Sequence, residues 1–147
     1  MRAERALHFI ACDSVEFFLK QDSQYVYLGI RSIDTNHTGI DLYLGDDHTA
    51  RHLLHVSSAH GQKDLPDTAQ AELRFGENRL WTANAVEVFY ADDEQRIQAP
   101  ELFEFQIDKQ LIEGQVLRLF VHFKRPERMC PARAVADSTA GWLEFRL

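Results

Sequence analysis

The strongest constraint on the fold is a nine-residue run, residues 116–124, in which apolar side chains occupy every second position. The apolar set comprises Leu117, Leu119, Val121 and Phe123, and the set between them comprises Val116, Arg118, Phe120, His122 and Lys124. Successive side chains of a β-strand point to opposite faces, so a period of two predicts a strand with one buried face. The run therefore indicates an antiparallel β core.

Shorter alternating runs recur along the chain, at residues 25–33, 40–44, 71–75, 80–91, 102–107 and 142–147. Short strands at spacings of about 10–15 residues are typical of all-β sandwiches and barrels. A length of 147 residues lies within the usual range for one domain. We therefore expect a mainly β, single-domain protein over residues 1–147, an antiparallel β-sandwich with a β-barrel as the alternative.

Two hairpins are predicted where alternating runs flank turn-forming residues. The first joins residues 25–33 to residues 40–44, because residues 34–39 are rich in Asp, Asn, Thr and Gly. The second joins residues 71–75 to residues 80–91 through a polar turn that contains Gly and Asn.

Other segments are less regular. Residues 91–98 are interpreted as an acidic loop, and Asp108 to Gly114 are expected to form one of one or two short helical turns. Residues 13–22 and 47–58 each fit a strand or a helix, and both alternatives stay open.

Three tyrosines of the first predicted hairpin, Tyr25, Tyr27 and Tyr43, are out of phase with the aliphatic residues of their strands. If they are exposed together, they form a tyrosine-rich platform, a feature that is enriched at binding interfaces. A second sheet that covers them would account for the same pattern.

Arg118, His122 and Lys124 lie on one face of the strand predicted at residues 116–124, together with Phe120. Bases interleaved with an aromatic ring are typical of surfaces that combine stacking with charge. The alternative is that Phe120 contacts a second apolar layer while the basic side chains reach solvent from the strand ends. The candidate binding residues are Tyr25, Tyr27, Tyr43, Arg118, His122 and Lys124.

Charge is unevenly distributed along the chain, whose formal net charge is −7. Residues 87–108 contain seven acids and one base, whereas residues 114–133 contain five bases and one acid. A net negative protein repels phosphate backbones, so nucleic acid is a disfavoured partner. No apolar run approaches the ~18 residues that a membrane-spanning helix needs.

Histidines are concentrated between residues 37 and 60, and three of them suggest a metal site. In a helix, His48, His52 and His55 would share one face and could hold Zn²⁺ with an open position for water. In a strand, His48 and His52 share a face while His55 points away. Zinc is the only cofactor that this pattern suggests, and otherwise none is expected.

The two cysteines, Cys12 and Cys130, are too few for a disulfide framework, and such sparse use favours a reducing, cytoplasmic location. The alternative is an exported lipoprotein, because residues 9–12 resemble a lipoprotein cleavage site. Whether the two cysteines pair is left open.

Catalytic motifs are lacking: the sequence contains neither a G-x-S-x-G elbow nor a phosphate-binding glycine loop. We therefore expect a non-enzymatic binding domain with a protein or small-molecule partner. The alternatives are a β-barrel that encloses a small apolar ligand and a histidine-dependent metal hydrolase. The sequence leaves the oligomeric state open.

Overall fold

The computed structural model describes residues 6–46, 49–65, 74–75, 80–84, 86–112 and 114–147. The strands are β1 (Leu7–Ala11), β2 (Val15–Gln21), β3 (Tyr25–Ser32), β4 (Gly39–Gly45), β5 (Ala50–Val56), β6 (His60–Asp64), β7 (Arg74–Phe75), β8 (Trp81–Ala83), β9 (Glu87–Ala91), β10 (Glu94–Gln98), β11 (Phe103–Asp108), β12 (Val116–Lys124), β13 (Arg128–Cys130) and β14 (Leu143–Arg146). None of the described residues belongs to a helix long and apolar enough to cross a membrane.

Two antiparallel sheets contain most of these strands. Sheet A has the order β1-β2-β3-β11-β8, and sheet B has the order β13-β12-β4-β5-β6-β7, with β14 also paired to β12. Strands β9 and β10 pair only with each other among the described strands and form a two-stranded ribbon. The sheets pack face to face and do not close into a barrel within the described chain, so the predicted sandwich is confirmed and the barrel alternative is wrong.

The core lies between the sheets, and β12 runs through the middle of it. Its four alternating apolar residues are fully buried, as the sequence predicts. In the register with β4, Leu119 faces Leu44 and Val121 faces Leu42. Phe17 and Leu28 are among the buried residues that sheet A contributes from its inner face.

The first predicted hairpin does not form. Strand β3 pairs with β2 and β11 in sheet A, whereas β4 pairs with β5 and β12 in sheet B. Residues 33–38 therefore cross from one sheet to the other. Turn-forming residues between two alternating runs are equally compatible with a hairpin and with a crossing between sheets. The local sequence pattern alone therefore could not tell the two apart, and the predicted hairpin is wrong.

The second predicted hairpin is not formed by the described residues either, because β7 pairs with β6 in sheet B and β8 pairs with β11 in sheet A. Residues 71–73 and 76–79 of this prediction lie outside the described residues. A hairpin forms instead between β9 and β10, in the segment interpreted as a loop. Its turn residues Asp92 and Asp93 have φ angles of 52° and 62°. Asp tolerates this left-handed conformation, which a type I′ hairpin turn requires at both of its central positions.

Of the two segments that fit either a strand or a helix, residues 13–22 contain strand β2 and the described part of residues 47–58 contains strand β5. Residues 47 and 48 lie outside the described residues. Lys109–Leu111 form a single 3₁₀ turn, in which the Asp108 side chain accepts a hydrogen bond from the Gln110 backbone N–H at 2.9 Å. The short helical turn predicted at this position is therefore present.

Sheet B is also partly covered on its outer face. Ala50, Phe120, Ala134 and Trp142 form a small second core there, and two of them come from residues 131–142, which we call the cover segment. The Trp142 indole packs edge-on against Phe120 at 4.8 Å between ring centroids and donates its N–H to the Val135 carbonyl at 3.0 Å. The second apolar layer that the sequence offered as the alternative for Phe120 is present.

A disulfide between Cys12 and Cys130 joins the end of β1 in sheet A to β13 in sheet B. Arg128 strengthens this junction by donating to the Cys12 carbonyl at 2.7 Å. A Cys12 sulfur that is bonded to Cys130 is not free for lipid attachment, which counts against the lipoprotein alternative, and the location of the protein stays a prediction.

Candidate functional site

A cleft of about 730 Å³ opens on the part of sheet B that the cover segment leaves bare. One side of the cleft is polar and includes Asp41, His55, Ser57 and Lys124. The opposite side is apolar and is formed by residues of the β9–β10 ribbon and the chain leading into it. Its volume lies within the range of about 300–1,000 Å³ that is usual for small-molecule sites.

Strand register brings the polar residues together. His122 of β12 faces Asp41 of β4, and Asp41 in turn faces His55 of β5, so the three side chains form a row across the sheet. We call this set the polar row. Ser57 follows His55 by two positions, which places it on the same side of the chain as β5 ends.

A chain of hydrogen bonds links three of these groups. Asp41 Oδ1 lies 2.6 Å from His55 Nδ1, and His55 Nε2 lies 2.9 Å from Ser57 Oγ. A carboxylate only accepts, so Nδ1 must carry the ring hydrogen that it donates. Nε2 is then the acceptor for the Ser57 hydroxyl, provided that the imidazole is neutral.

A second group of contacts approaches Asp41 from the other side. Lys124 Nζ lies 3.4 Å from Asp41 Oδ2 and 3.2 Å from His122 Nδ1, and His122 Nε2 lies 4.0 Å from a Glu127 carboxylate oxygen. Asp41 is largely buried, and a buried carboxylate needs such partners to offset its lost hydration. The Lys124 ammonium therefore stands beside the carboxylate and lines the cleft.

The apolar side of the cleft is built on the β9–β10 ribbon. Val88 and Ile97 face each other across the ribbon, and both line the cleft. Val86 precedes the ribbon and is buried in the main core, which anchors that end of the ribbon. Phe89 and Arg96 point to the ribbon's other face, since side chains alternate along a strand.

Two of the three predicted tyrosines lie together, and the third lies elsewhere. Tyr25 and Tyr27 are on the outer side of sheet A with 6.1 Å between their ring centroids. The Tyr27 hydroxyl donates to Asp22 Oδ2 at 2.9 Å, and this hydrogen bond raises the pKa of Tyr27 above its ordinary value. Tyr27 also borders a hollow of about 620 Å³ whose lining includes Phe18 and Leu102.

Tyr43 lies on the outer side of sheet B, on the far side of the sandwich from Tyr25 and Tyr27. Its ring stacks on Phe120 at 4.0 Å, and burial raises the pKa of its hydroxyl. The three tyrosines therefore do not form one platform, because the hairpin that would have placed them side by side is not formed.

The predicted basic residues also separate. Lys124 lines the cleft and His122 contacts Lys124 at 3.2 Å, whereas Arg118 lies next to the cover segment and forms an ion pair with Glu144 at 3.3 Å. Of the six candidate binding residues, Lys124 is the one that lines the cleft. Whether any of the six binds a partner remains a prediction.

The predicted zinc ligands do not assemble among the described residues. His48 lies outside them. His52 and His55 are on opposite faces of β5, where His52 contacts Asp64 at 3.0 Å and His55 contacts Asp41. Within the described residues, no group of three His, Cys, Asp or Glu side chains is placed to hold a metal ion.

Sequence reasoning missed Asp41 and Ser57. The spacing of His55 and Ser57 does carry a signal, because residues two apart on a strand share a face. Asp41 carried none, since its position beside His55 depends on pairing between strands that are distant along the chain.

Comparison with known protein families, with curated proteins and with solved structures finds no significant match to this chain.

Proposed function

We propose that this protein is a ligand-binding domain and that its site is the cleft on sheet B. The supporting observation is that one side of the cleft is polar and the other apolar, within a volume suited to a small molecule. Small-molecule sites usually combine apolar walls with a few convergent polar groups. The ligand is accordingly a small amphipathic molecule.

The residues indicate the chemistry of each end of this ligand. The Lys124 ammonium can donate hydrogen bonds to a carboxylate or an ester carbonyl. Val88 and Ile97 offer an apolar surface to a hydrocarbon chain. Two acids, Asp41 and Glu127, line the cleft beside Lys124 and Arg125, so a ligand with several negative charges fits it poorly.

The hollow beside Tyr27 is the competing site. Its lining is largely apolar, and it lacks a hydrogen-bonded set comparable to Asp41, His55 and Ser57 among the described residues. An apolar hollow on an exposed sheet face selects a ligand less sharply than convergent polar groups do. We therefore place the ligand in the cleft on sheet B.

The test is a titration of the full chain with linear carboxylates from butanoate to decanoate, followed in two-dimensional NMR amide spectra. We expect the largest shifts at cleft residues, and affinity that rises about fourfold per methylene, because each buried methylene contributes about 0.8 kcal/mol. Shifts confined to the hollow beside Tyr27, or affinity independent of chain length, would contradict the proposal.

A matched pair of variants separates the apolar side of the cleft from the rest of the ribbon. Ile97 and Phe89 are 45% and 44% exposed and lie on opposite faces of the ribbon. Ile97→Ser should abolish the gain in affinity with chain length, whereas Phe89→Ser should leave it unchanged. Equal effects of the two substitutions would show that the chain does not rest on Ile97.

The disulfide bears on where the protein works. A cytoplasmic location remains a prediction from sparse cysteine use, and we infer an oxidising compartment instead, because disulfides form and persist there. Alkylation of protein taken from its native cells should leave both cysteines unmodified until a reductant is added. Two cysteines that are alkylated without reductant would favour the cytoplasm.

A further inference from the structure

The geometry points to a second property of the cleft: Ser57 is a nucleophile activated by His55, and the site hydrolyses carboxylic esters. This inference rests on the proposed function, since the ester must occupy the same cleft. It replaces the expectation of a non-enzymatic domain with that of an esterase.

The Asp41–His55–Ser57 chain has the connectivity that nucleophilic serine catalysis needs. A carboxylate holds one ring nitrogen of an imidazole at 2.6 Å, and the other ring nitrogen lies 2.9 Å from a serine oxygen. Both distances fall within the range of about 2.6–3.2 Å expected for a nucleophile, its base and the group that orients the base. Such sets are recognised by geometry, and their order along the chain differs between unrelated proteins.

The Ser57 hydroxyl has a second acceptor, the Ala59 carbonyl at 3.2 Å. The contact with His55 Nε2 is shorter, and Asp41 fixes the imidazole so that Nε2 is available to accept. The hydroxyl hydrogen is therefore directed to His55, which is the arrangement that removes it during attack on a carbonyl.

A purely structural role for Ser57 explains less of the arrangement. The turn is already closed by a backbone hydrogen bond of 3.0 Å from Ser57 N–H to the Ala59 carbonyl. Stabilising this turn does not require an imidazole, or a largely buried carboxylate behind it. All three side chains also line the cleft, so a bound carbonyl can reach the serine oxygen.

The reaction balances with water as the only co-reactant. Ser57 Oγ bonds to the ester carbonyl carbon as its proton passes to His55 Nε2, and the carbonyl electron pair moves onto oxygen. The adduct then collapses, the bond to the alcohol oxygen breaks, and the alcohol leaves with the proton from His55. Water attacks the acyl-serine in the same way, releasing the carboxylic acid and restoring the hydroxyl.

Lys124 and Arg125 both line the cleft, and Lys124 is the one in contact with Asp41, so it is the cation that stabilises the negative oxygen of the adduct. Its ammonium lines the cleft and lies 3.4 Å from Asp41, on the side of the carboxylate turned towards β12. Positive charge aimed at developing negative charge is a major source of rate acceleration. The substrate is an ester whose acyl chain rests on Val88 and Ile97 and whose carbonyl lies between Ser57 and Lys124.

The first test uses the unmodified full chain. It is incubated with an alkyl fluorophosphonate, which forms a covalent bond to activated serines with loss of fluoride, and the peptides are analysed by mass spectrometry. We expect one adduct per chain, on Ser57. The absence of an adduct at Ser57 would overturn the inference, and this result does not depend on any variant folding.

The second test measures hydrolysis of p-nitrophenyl butyrate. His55→Gln should lower kcat about 10²–10⁴-fold, the usual contribution of a general base, and Ser57→Ala should lower it at least as far. Ser138→Ala is the matched control, because Ala140 N–H contacts Ser138 Oγ at 3.3 Å as Ala59 N–H contacts Ser57 Oγ at 3.4 Å. Equal activity of Ser57→Ala and wild type would overturn the inference.

Asp41 acts through His55 and is a positioning residue. Asp41→Asn should lower kcat while KM stays close to the wild-type value, which a general loosening of the cleft would not produce. Ser57→Cys, which keeps a nucleophile of similar size, should become alkylated faster than a cysteine introduced at position 138. Equal alkylation rates would show that His55 does not activate position 57.

These results are distinguishable from failure of the proposed function. Carboxylates that bind in the cleft without any serine adduct would retain the binding domain and remove the nucleophile. An adduct on Ser57 supports the nucleophile, even where carboxylate affinity is too weak to measure. If carboxylates do not bind and no adduct forms, both proposals fail.

Discussion

The outer face of sheet B has two neighbouring halves that lie on the same three strands. They differ in the chemistry of their side chains and in what covers them. In one half Phe120, Tyr43 and Leu53 form a row across β12, β4 and β5, which we call the aromatic row. The next row on this face is the polar row, His122, Asp41 and His55. On each strand, the residues of the two rows are two positions apart.

The aromatic row and the polar row also differ in which part of the molecule lies over them. The aromatic row is covered in part by Trp142 from the cover segment, and Phe120 is only 2% exposed. Two members of the polar row, Asp41 and His55, instead line the cleft, together with Val88 and Ile97 of the ribbon. The same sheet face therefore forms a hydrophobic core where another part of the chain packs on it. It forms a candidate binding site where hydrogen-bonded polar side chains border open space.

The largest expected effect comes from the aromatic row. Phe120→Ala should lower the free energy of unfolding by about 3–5 kcal/mol, the usual cost of truncating a buried aromatic residue. Phe89→Ala removes the same side chain from an exposed position on the ribbon and should cost less than about 0.5 kcal/mol. Urea denaturation measures both, and similar costs would mean that the cover segment does not bury Phe120 in solution.

The disulfide anchors the start of the cover segment, because Cys130 immediately precedes it. Replacing both Cys12 and Cys130 by Ser should lower the free energy of unfolding by about 2–4 kcal/mol, chiefly by releasing the unfolded chain. Wild-type protein unfolded in the presence of a reductant is the control and should match the variant. An unchanged urea midpoint in both would show that the bond does not form.

The polar row should contribute less to stability. Asp41→Asn keeps an acceptor for His55 but loses the charge, and a charge-assisted hydrogen bond exceeds a neutral one by about 1 kcal/mol. We therefore expect a loss of about 1 kcal/mol in the free energy of unfolding. Asp92→Asn in the exposed ribbon turn is the control, since Asn also tolerates positive φ, and it should cost nothing measurable.

The smallest expected effect is a pH dependence caused by His37, which is buried and contacts Pro126, a residue that lines the cleft. Its Nδ1 contacts the Pro126 carbonyl at 2.7 Å, whereas its buried Nε2 has no hydrogen-bond partner among the described residues. Burial lowers the pKa of His37 below its ordinary value of 6.5. Both ring nitrogens of His55 have hydrogen-bond partners, whereas the buried Nε2 of His37 has none among the described residues to replace its lost hydration.

Below pH 6.5 the unfolded chain binds a proton that folded His37 rejects, so this residue lowers stability as pH falls from 6.5 towards its folded-state pKa. Melting temperatures between about pH 5 and pH 8 should show a weaker acid loss in His37→Asn, which retains a donor for Pro126. An identical pH dependence in the variant would contradict this prediction.

Titration of the Glu16 carboxylate does not contribute to the pH dependence measured for His37. The pKa of Glu16 is lowered, first by its hydrogen bond with His8, below an ordinary value of 4.5. Its stabilising contribution is present above that value and is lost only as pH falls through the lower folded-state pKa, outside the window used for His37.

Part of this structure was predictable from the sequence, and the reason is local. Alternation identified the buried face of β12 and the side chains on its other face, including Phe120, His122 and Lys124. It also offered two explanations for the position of Phe120, a binding surface shared with the basic residues or a contact with a second apolar layer. The second apolar layer is present. His55 stood out as a chemically capable residue, although the metal site suggested for it is not assembled among the described residues.

The pairing of strands was not predictable in the same way. Tyr43 was expected beside Tyr27 because both runs flank a plausible turn, yet the chain crosses to the other sheet between them. Likewise, nothing near Asp41 in the sequence indicates His55, which is fourteen positions away. Register between distant strands is fixed by packing of the whole core, which local periodicity does not encode.

The sequence by itself determined that this chain forms antiparallel strands with alternating faces, because side-chain periodicity acts over a few neighbouring residues. Only the tertiary structure decided which strands share a sheet, which row is covered, and that Asp41, His55 and Ser57 meet. Those outcomes depend on contacts between segments far apart in the chain, where burial of apolar area rather than local pattern selects the partner.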